Sequence, residues 1–179
     1  MVRAFVALEL SKDIQDYLAL AQETIRGCKA RLTFVDPKNI HITAKFLGEV
    51  DEKTLQKVMD ALRSITFSSF PVTAGIVTVN NPKRPHTVWC AIDDIGQGER
   101  LFHLIEDALM PLGFERDTRR FTPHATLARV KSPHPSLFSA LNNLKDNSYG
   151  SCTICGIRLK KSTLLPQGPV YEDLLEVKW

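Results

Sequence analysis

The hydrophobic and polar positions of this chain follow the period of a strand, then that of a helix, in a recurring order. VRAFVALEL alternates as a strand, and Ser11 caps a helix predicted over about 12–27. RLTFV and IHITAKFLGEV have the pattern of strands, and Asp51 caps a second helix predicted over about 52–64. A further strand, FPVTAGIVTVN, ends in the turn-forming sequence NPKRP. The first half of the chain therefore predicts four strands and two helices.

The same order of elements begins again at TVWCAIDDI. A helix predicted over about 98–112 follows this strand, and then come the strand PHATLARV and a short helix over about 135–144. SYGSCTICGIRLKKSTLL and GPVYEDLLEVKW complete the series as strands. Proline-containing turns, NPKRP and LPQGP, precede Trp89 and Tyr171 in the two halves. The second half therefore repeats the plan of the first, with one strand left over at its end.

An offset of 83 residues relates the two halves. It carries His41 to His124 and Thr43 to Thr126, and it carries Phe5 into the strand that opens the second half. One long period that is repeated once predicts two similar lobes with pseudo-two-fold symmetry, and it is not the pattern of a solenoid.

The chain length agrees with this organisation. Its 179 residues suit a single domain, and 44% hydrophobic and 24% charged residues is an ordinary globular composition. We expect one bilobal domain over residues 1–179. Its first repeat covers about 1–84 together with the last strand at about 170–178, and its second repeat covers about 85–169.

Net charge and hydropathy exclude some classes of function. The formal net charge of +3 allows an anionic substrate but does not indicate a long nucleic-acid track, which needs a denser basic stripe. No apolar run approaches the roughly 20 residues of a membrane span, and MVRAFVALELSKD lacks the long apolar segment of a signal peptide. We expect a cytoplasmic protein that does not act in a membrane.

The chain has four cysteines, of which Cys152 and Cys155 form the motif CTIC. A zinc site needs a second pair of ligands at a suitable spacing, and the sequence offers none. A thioredoxin-type CxxC begins a helix, whereas the residues around CTIC have the pattern of a strand. We therefore interpret both cysteines as reduced, small and buried residues.

The two histidine strands carry the candidate chemistry. Residues i and i+2 of a strand point to the same face, so His41 shares a face with Thr43, and His124 with Thr126. If the lobes pack face to face, the two pairs meet across one cleft. One neutral imidazole can then take a proton from a nucleophile while one protonated imidazole gives a proton to a leaving oxygen. With two hydroxyls to hold a phosphoryl group, the set suits phosphodiester hydrolysis without a metal.

HITAKFLGEV and PHATLARV resemble the paired HxTx motifs of the 2H phosphoesterase superfamily. With the opening RAFVALEL and the late GPVYE, they are most similar to its RNA 2′,3′-cyclic phosphodiesterase family, also called 2′-5′ RNA ligases, over nearly the whole chain. The resemblance implies an α+β fold in which two pseudo-symmetric lobes, each an antiparallel sheet with helices on its outer face, flank a central cleft. One departure is Ala44, which stands where that family usually has leucine and which is expected to affect packing only.

The resemblance also implies a reaction and roles for the paired residues. The family opens the 2′,3′-cyclic phosphate of a nucleoside or RNA to a 2′-phosphomonoester, with no cofactor and no metal. By similarity, His41 is the proton donor to the leaving 3′ oxygen, His124 is the base that activates water, and Thr43 and Thr126 hold the phosphate. The residues alone do not say which histidine is the acid. The implied partners are RNA ends or nucleotides with a cyclic phosphate, and we expect a monomer because the duplication supplies both half-sites.

Basic residues near the motifs are candidates for further phosphate contacts. Lys45 has the parity of His41 and is expected to face the cleft. Arg129 has the opposite parity to His124 and reaches a phosphate only if a bulge or strand end turns it, although the resemblance places an arginine there. The loop before His124 carries three arginines that form either a solvated face or a rim for RNA phosphates: Arg116, Arg119 and Arg120.

The remaining aromatic and histidine side chains are weaker candidates. We interpret Phe46 and Phe121 as core or cleft wall, although stacking on a base stays open. His103 is expected to be exposed on its helix, and His86 and His134 lie in loops.

Two other functions stay open at this point. The same site run backwards could join a cyclic phosphate end to a 5′-hydroxyl end through a 2′-5′ linkage. A protein that binds RNA ends without turnover would use the same basic rim, but it would need cations more than titrating imidazoles. The sequence does not identify the physiological RNA.

Overall fold

The computed structural model describes residues 1–165 and 168–179, so part of the predicted turn LPQGP, residues 166 and 167, lies outside the described residues. The described residues form four α-helices: α1 (Lys12–Arg26), α2 (Glu52–Arg63), α3 (Gln97–Leu109) and α4 (Ser136–Asn142). They form nine strands: β1 (Val2–Glu9), β2 (Arg31–Phe34), β3 (His41–Val50), β4 (Phe70–Val79), β5 (Thr87–Asp93), β6 (His124–Ser132), β7 (Ser151–Ile154), β8 (Gly156–Leu165) and β9 (Gly168–Lys178). The four predicted helices are confirmed.

Side-chain caps explain where the first two helices begin. Ser11 Oγ accepts the backbone N–H of Ile14 at 3.4 Å, and Asp51 Oδ1 accepts that of Thr54 at 2.9 Å. These bonds satisfy N–H groups that the first turn of a helix leaves without a partner. Across the described residues, no helix is long and apolar enough to cross a membrane.

The strands form one antiparallel sheet that curls. Their order is β7-β4-β5-β6-β3-β1-β8-β9, and β2 pairs with the far end of β6. β7 and β8 lie near opposite ends of this order, yet only Cys155 separates them in the chain. The Ser69 hydroxyl donates to the Trp179 carbonyl at 3.0 Å, which links the start of β4 to the end of β9. The two ends of the sheet are therefore drawn toward each other, and the predicted α+β fold is confirmed.

The sheet divides into two groups at the junction of β3 and β6. One group is β3-β1-β8-β9 and the other is β6-β5-β4-β7. β4 pairs with β5 and β7, and β8 pairs with β1 and β9, so each repeat contributes a strand to the group that the other repeat opens. The strand pairing therefore does not follow a boundary near residue 84.

Side-chain alternation gives the sheet two unlike faces. Ala4, Val6 and Leu8 of β1 belong to the core beneath the helices. Phe5 and Glu9 of the same strand alternate with them and point to the opposite face, which we call the cleft face.

Candidate active site

β3 and β6 join edge to edge, and among the described residues Ile42 and Ala125 are the register pair that joins them. Both side chains are buried in the core, with exposed fractions of 1% and 0%. The neighbouring residues on each strand must therefore point to the cleft face. The two halves thus meet along one continuous sheet, and not face to face as two sheets.

Four side chains surround this junction on the cleft face. Extending the antiparallel register by one residue in each direction places His41 across from Thr126, and Thr43 across from His124. Each histidine consequently neighbours a threonine of its own strand and a threonine of the other. The two HxT motifs predicted from the repeat lie side by side at the centre of the sheet.

A backbone carbonyl fixes the orientation of each imidazole. His41 Nδ1–H donates to the Asn39 carbonyl at 2.6 Å, and His124 Nδ1–H donates to the Thr122 carbonyl at 2.7 Å. Because a carbonyl oxygen only accepts, Nδ1 keeps its proton in both charge states, and Nε2 is the atom that exchanges one. Nε2 of His41 lies 3.0 Å from Thr43 Oγ1. Both halves thus present the same ring nitrogen for proton transfer.

The surroundings of the two imidazoles differ in charge. Burial lowers the pKa of His41, a carbonyl hydrogen bond and the Glu9 carboxylate oppose this, and Lys160 and His124 lower the pKa further. Burial also lowers the pKa of His124, a carbonyl hydrogen bond opposes it, and the Arg129 guanidinium adds to the lowering. Glu9 thus favours the protonated form of His41, opposed by Lys160, whereas Arg129 favours the neutral form of His124.

Glu9 is held beside His41 by the sheet. It is the register partner of His41 on β1, so the two side chains are cross-strand neighbours on the cleft face. Lys160 Nζ lies 2.8 Å from Glu9 Oε1 and 2.8 Å from Asp173 Oδ1. The carboxylate is therefore fixed in place next to the imidazole.

Aromatic rings pack against both histidines. Phe5 stacks on His41 with ring centroids 5.1 Å apart, and the edge of Tyr171 meets His41 at 5.6 Å. Trp89 packs on His124 at 4.2 Å. No role was predicted for these rings. The available signal was that Trp89 and Tyr171 each follow a proline-containing turn at equivalent places in the two halves.

A β-bulge places Arg129 on the cleft face. On β5, Trp89 pairs with Thr126 but Val88 pairs with Ala128, so Leu127 is an extra residue in β6. The extra residue reverses the parity of everything after it. Arg129 is consequently exposed on the same face as Thr126, and its Nη1 donates to Thr87 Oγ1 at 3.0 Å. The condition under which Arg129 reaches the site is met.

The same bulge occurs 83 residues earlier, in β3. Ala7 of β1 pairs with Thr43 but Val6 pairs with Lys45, so Ala44 is the extra residue. The expectation that Lys45 faces the cleft is therefore wrong, because the bulge turns its side chain to the other face.

Lys45 is buried under α3, where it is 8% exposed. Its Nζ donates to Glu106 Oε1 at 2.6 Å and to the Glu115 carbonyl at 2.9 Å. The other oxygen of Glu106 accepts the backbone N–H of Asp117 at 3.2 Å. The pair thus ties β3 to the segment that leads toward His124, and Lys45 is not available to a phosphate in the cleft.

The β3 bulge also exposes Phe46, the residue that the 83-residue offset relates to Arg129. Its side chain is 67% exposed, and its ring centroid lies 6.0 Å from that of Phe5. Phe46 is therefore not a core residue. Phe121 stacks on Phe102 of α3 with centroids 5.0 Å apart, which agrees with a packed wall.

The three arginines of the loop before β6 are exposed and paired with carboxylates. The pairs are Arg116 with Asp107, Arg119 with Asp117 at 2.8 Å, and Arg120 with Glu99 at 3.8 Å. Each pairing offsets a positive charge, so the loop offers a weaker rim than its arginine count suggests.

The other histidines and the cysteine motif lie away from the junction of β3 and β6. His103 is exposed on α3 as expected, and His86 and His134 are exposed in loops. Cys152 is half-buried and Cys155 is exposed, so the interpretation of both as buried residues is wrong for Cys155, which occupies the corner between β7 and β8. Among the described residues, no group of three or more His, Cys, Asp or Glu side chains is arranged to hold a metal ion.

Comparison with known proteins identifies the family. The sequence model of the LigT-like phosphoesterases matches residues 8–89 and 95–171. The RNA 2′,3′-cyclic phosphodiesterase of Aeropyrum pernix is 36% identical over 90% of this chain and 94% of its own length. That of Archaeoglobus fulgidus is 33% identical over 97% of this chain and 98% of its own length.

Solved structures share the fold. The crystal structure of TT0787 of Thermus thermophilus aligns with a TM-score of 0.81 and 26% identity, covering 98% of this chain and 97% of that one. E. coli LigT complexed with 3′-AMP aligns with a TM-score of 0.81 at 19% identity, covering 99% and 97%. The family model matches most of this chain, and relatives that are more than 30% identical align over nearly all of it. The chain therefore belongs to the LigT-like phosphoesterase family.

Proposed function

We propose that this protein hydrolyses the 2′,3′-cyclic phosphates of RNA ends or nucleosides to 2′-phosphomonoesters by acid–base catalysis between two histidines. The observation that carries the proposal is the arrangement around Ile42 and Ala125, where two imidazoles anchored through Nδ1 meet two threonines on one face. The relatives named RNA 2′,3′-cyclic phosphodiesterase support the choice of substrate.

The reaction needs one proton taken and one given. His124 Nε2 removes a proton from water as the water oxygen bonds to phosphorus. The bond between phosphorus and the 3′ oxygen breaks, and His41 Nε2–H gives its proton to that oxygen. The products are a 2′-phosphate and a 3′-hydroxyl, and the histidines are left with exchanged charges, which return to the starting state through solvent.

The electrostatic surroundings support the assignment of these roles. A base must be neutral before it acts, and Arg129 lowers the pKa of His124. An acid must be charged before it acts, and Glu9 favours the charged form of His41. Reversing the roles would place the proton beside the guanidinium and withhold it from the carboxylate.

The phosphate is held by neutral and charged donors together. Thr43 and Thr126 supply hydroxyl donors, and the Arg129 guanidinium supplies charge-assisted bonds to the oxygens that gain charge as water attacks. Thr43 Oγ1 already lies 3.0 Å from His41 Nε2, so the proton donor and this phosphate ligand are held together before substrate arrives. Phe46 offers an exposed ring on the same face for stacking on a base.

The cellular setting is part of the proposal. We expect the protein to act in the cytoplasm. We also expect a monomer, because one chain holds both halves of the site. We expect Arg116, Arg119 and Arg120 to contribute little to RNA affinity, since each is exposed and paired with a carboxylate.

The product of a 2′,3′-cyclic nucleotide tests the proposal. Incubation of the protein with 2′,3′-cyclic AMP, followed by phosphorus NMR, is expected to give only the 2′-phosphate. Addition of EDTA is expected to leave the rate unchanged. A 3′-phosphate product, loss of the rate with EDTA, or no turnover beyond that of a protein lacking both His41 and His124 would each refute the proposed reaction.

A further inference from the structure

α1 carries two buried glutamines within an otherwise apolar face. Gln15 is 8% exposed and Gln22 is 2% exposed, and they lie two turns apart on the side that also buries Ile14, Leu18 and Ile25. Burying an amide costs free energy unless it is hydrogen-bonded, so a polar pair inside a core face needs partners. The partners of these two amides identify what the pair does.

Both amides donate to backbone carbonyls next to the catalytic strands. Gln15 Nε2 donates to the Ile40 carbonyl at 3.0 Å, one residue before His41. Gln22 Nε2 donates to the Val35 carbonyl at 2.7 Å and to the Leu127 carbonyl at 2.9 Å. One helix therefore binds the backbone on both sides of the junction between β3 and β6.

Each of these carbonyls lies at a turn or a bulge that interrupts the regular ladder, and the Leu127 carbonyl also accepts the Val35 backbone N–H at 2.9 Å. Val35 and Ile40 are the two ends of the turn that precedes His41, and this turn contains Asn39, whose carbonyl orients the imidazole. Leu127 is the extra residue of the β6 bulge, which places Arg129 on the cleft face. The ladder between β3 and β6 consists of one register pair among the described residues. It therefore provides little resistance to relative movement of the two motifs.

We propose that Gln15 and Gln22 form a buried clamp that sets the position of the His41 motif relative to the His124 motif, and that they are positioning residues for the reaction. Gln15 fixes the backbone that aims His41, and Gln22 fixes the bulge that aims Arg129 past His124. This inference rests on the proposed function, because it concerns the same two histidines.

Loss of each amide moves a different limb of the pH–rate profile. The groups that act on the His41 charge are the Asn39 carbonyl, Glu9 of β1, Lys160 of β8 and His124 of β6. Without Gln15, the carbonyl bond that supports the charged imidazole loosens and the pKa of His41 falls further. An acid that must be protonated then fails at a lower pH, so the basic limb moves down.

Loss of Gln22 acts from the other side. The groups that act on the His124 charge are the Thr122 carbonyl and Arg129. Without Gln22 the bulge relaxes, Arg129 moves away from its fixed place, and the pKa of His124 rises because a nearby cation is lost. A base that must be neutral then fails at a higher pH, so the acidic limb moves up, and KM rises with the loss of a phosphate contact.

The test uses Gln15→Met and Gln22→Met, which keep the side-chain length but cannot donate. Leu18→Met is the matched control, since it introduces the same residue between them on the same buried face. We expect Gln15→Met to lower the basic limb by about half a pH unit and Gln22→Met to raise the acidic limb by a similar amount. Leu18→Met is expected to move neither limb.

The outcomes separate the clamp from the reaction itself. If the rate falls only in proportion to the loss of folded protein, and neither limb of the pH–rate profile moves, the clamp is refuted. The two glutamines would then contribute to stability alone. If a methionine variant does not fold, the corresponding Gln→Ala variant, which leaves room for water, is measured against the same expectation. Wild-type protein that shows no bell-shaped profile would refute the proposed function and the clamp together, whereas a wild-type bell with unmoved limbs in the variants would refute the clamp alone.

Discussion

Ile42 of β3 and Ala125 of β6 are register partners, and both are buried beneath the cleft face. Their position puts the local two-fold axis of the repeat between them. The residues that flank this pair are the two histidines and two threonines, and each half of the repeat therefore completes the site of the other. The candidate site lies at this junction, and each half contributes one histidine and one threonine to it.

Removing either threonine hydroxyl is expected to weaken stabilisation of the transition state more than it weakens substrate binding. Thr43→Val and Thr126→Val each delete a donor to a charged phosphate, which is worth about 1.5–3 kcal/mol, or roughly 10- to 150-fold in kcat/KM. Steady-state kinetics on 2′,3′-cyclic AMP measures this loss. Thr66→Val, at an exposed position in the segment after α2, is the control and should retain the full rate. Equal rates for all three variants would remove the threonines from the site.

Arg129 is expected to matter far more than another arginine of the same charge. Arg129→Met should lower kcat/KM by about 10- to 100-fold through loss of charge-assisted bonds. It should also raise the pKa of His124, so the rate falls away at a higher pH on the acidic side. Arg119→Met removes an equal charge from an exposed pair with Asp117 and should change the rate less than twofold. Similar losses in both variants would reduce Arg129 to a contributor of net charge.

Lys45 is expected to contribute to stability and not to phosphate binding. Lys45→Met leaves the Glu106 carboxylate buried without its partner, which should cost about 3–5 kcal/mol in the free energy of unfolding. Urea denaturation measures this cost, and the double variant Lys45→Met with Glu106→Leu should recover most of it. A stable Lys45→Met protein with a raised KM would instead place the lysine in the substrate site.

The motif pair could be predicted from the sequence because it depends on short-range rules. Alternation along a strand placed His41 with Thr43 and His124 with Thr126, and the 83-residue offset indicated that the two pairs are equivalent. Helices α1 and α2 could be predicted for the same reason, since their caps and apolar spacing are local. These features depend on neighbouring residues and not on the tertiary structure.

The bulges could not be predicted, and they decide which basic residue reaches the cleft. Ala44 and Leu127 are ordinary apolar residues with no local mark of an extra strand position. The Leu127 carbonyl is bound by the Gln22 amide of a distant helix, which no local pattern predicts. Strict alternation therefore predicted Lys45 in the cleft, but the structure buries it under α3. It also predicted that Arg129 points away from the cleft, but the structure places Arg129 on the cleft face.

The exchange of strands between the two halves could not be predicted from the sequence either. β4 follows the first motif along the chain but pairs with β5, and β8 follows the second motif but pairs with β1. A strand pattern states that a segment is extended, and it does not name the strand it pairs with. The same limit applies to Cys155, whose exposure results from the corner that joins β7 to β8.

The pH dependence of kcat/KM for 2′,3′-cyclic AMP, measured on the wild type and on His41→Ala and His124→Ala, tests the two-histidine account most directly. We expect a bell for the wild type, because His41 must be charged while His124 is neutral. His41→Ala should lose the basic limb and His124→Ala the acidic limb, each with a rate about 10²- to 10⁴-fold lower. A flat wild-type profile between about pH 5 and 9, or full activity in either variant, would contradict the account.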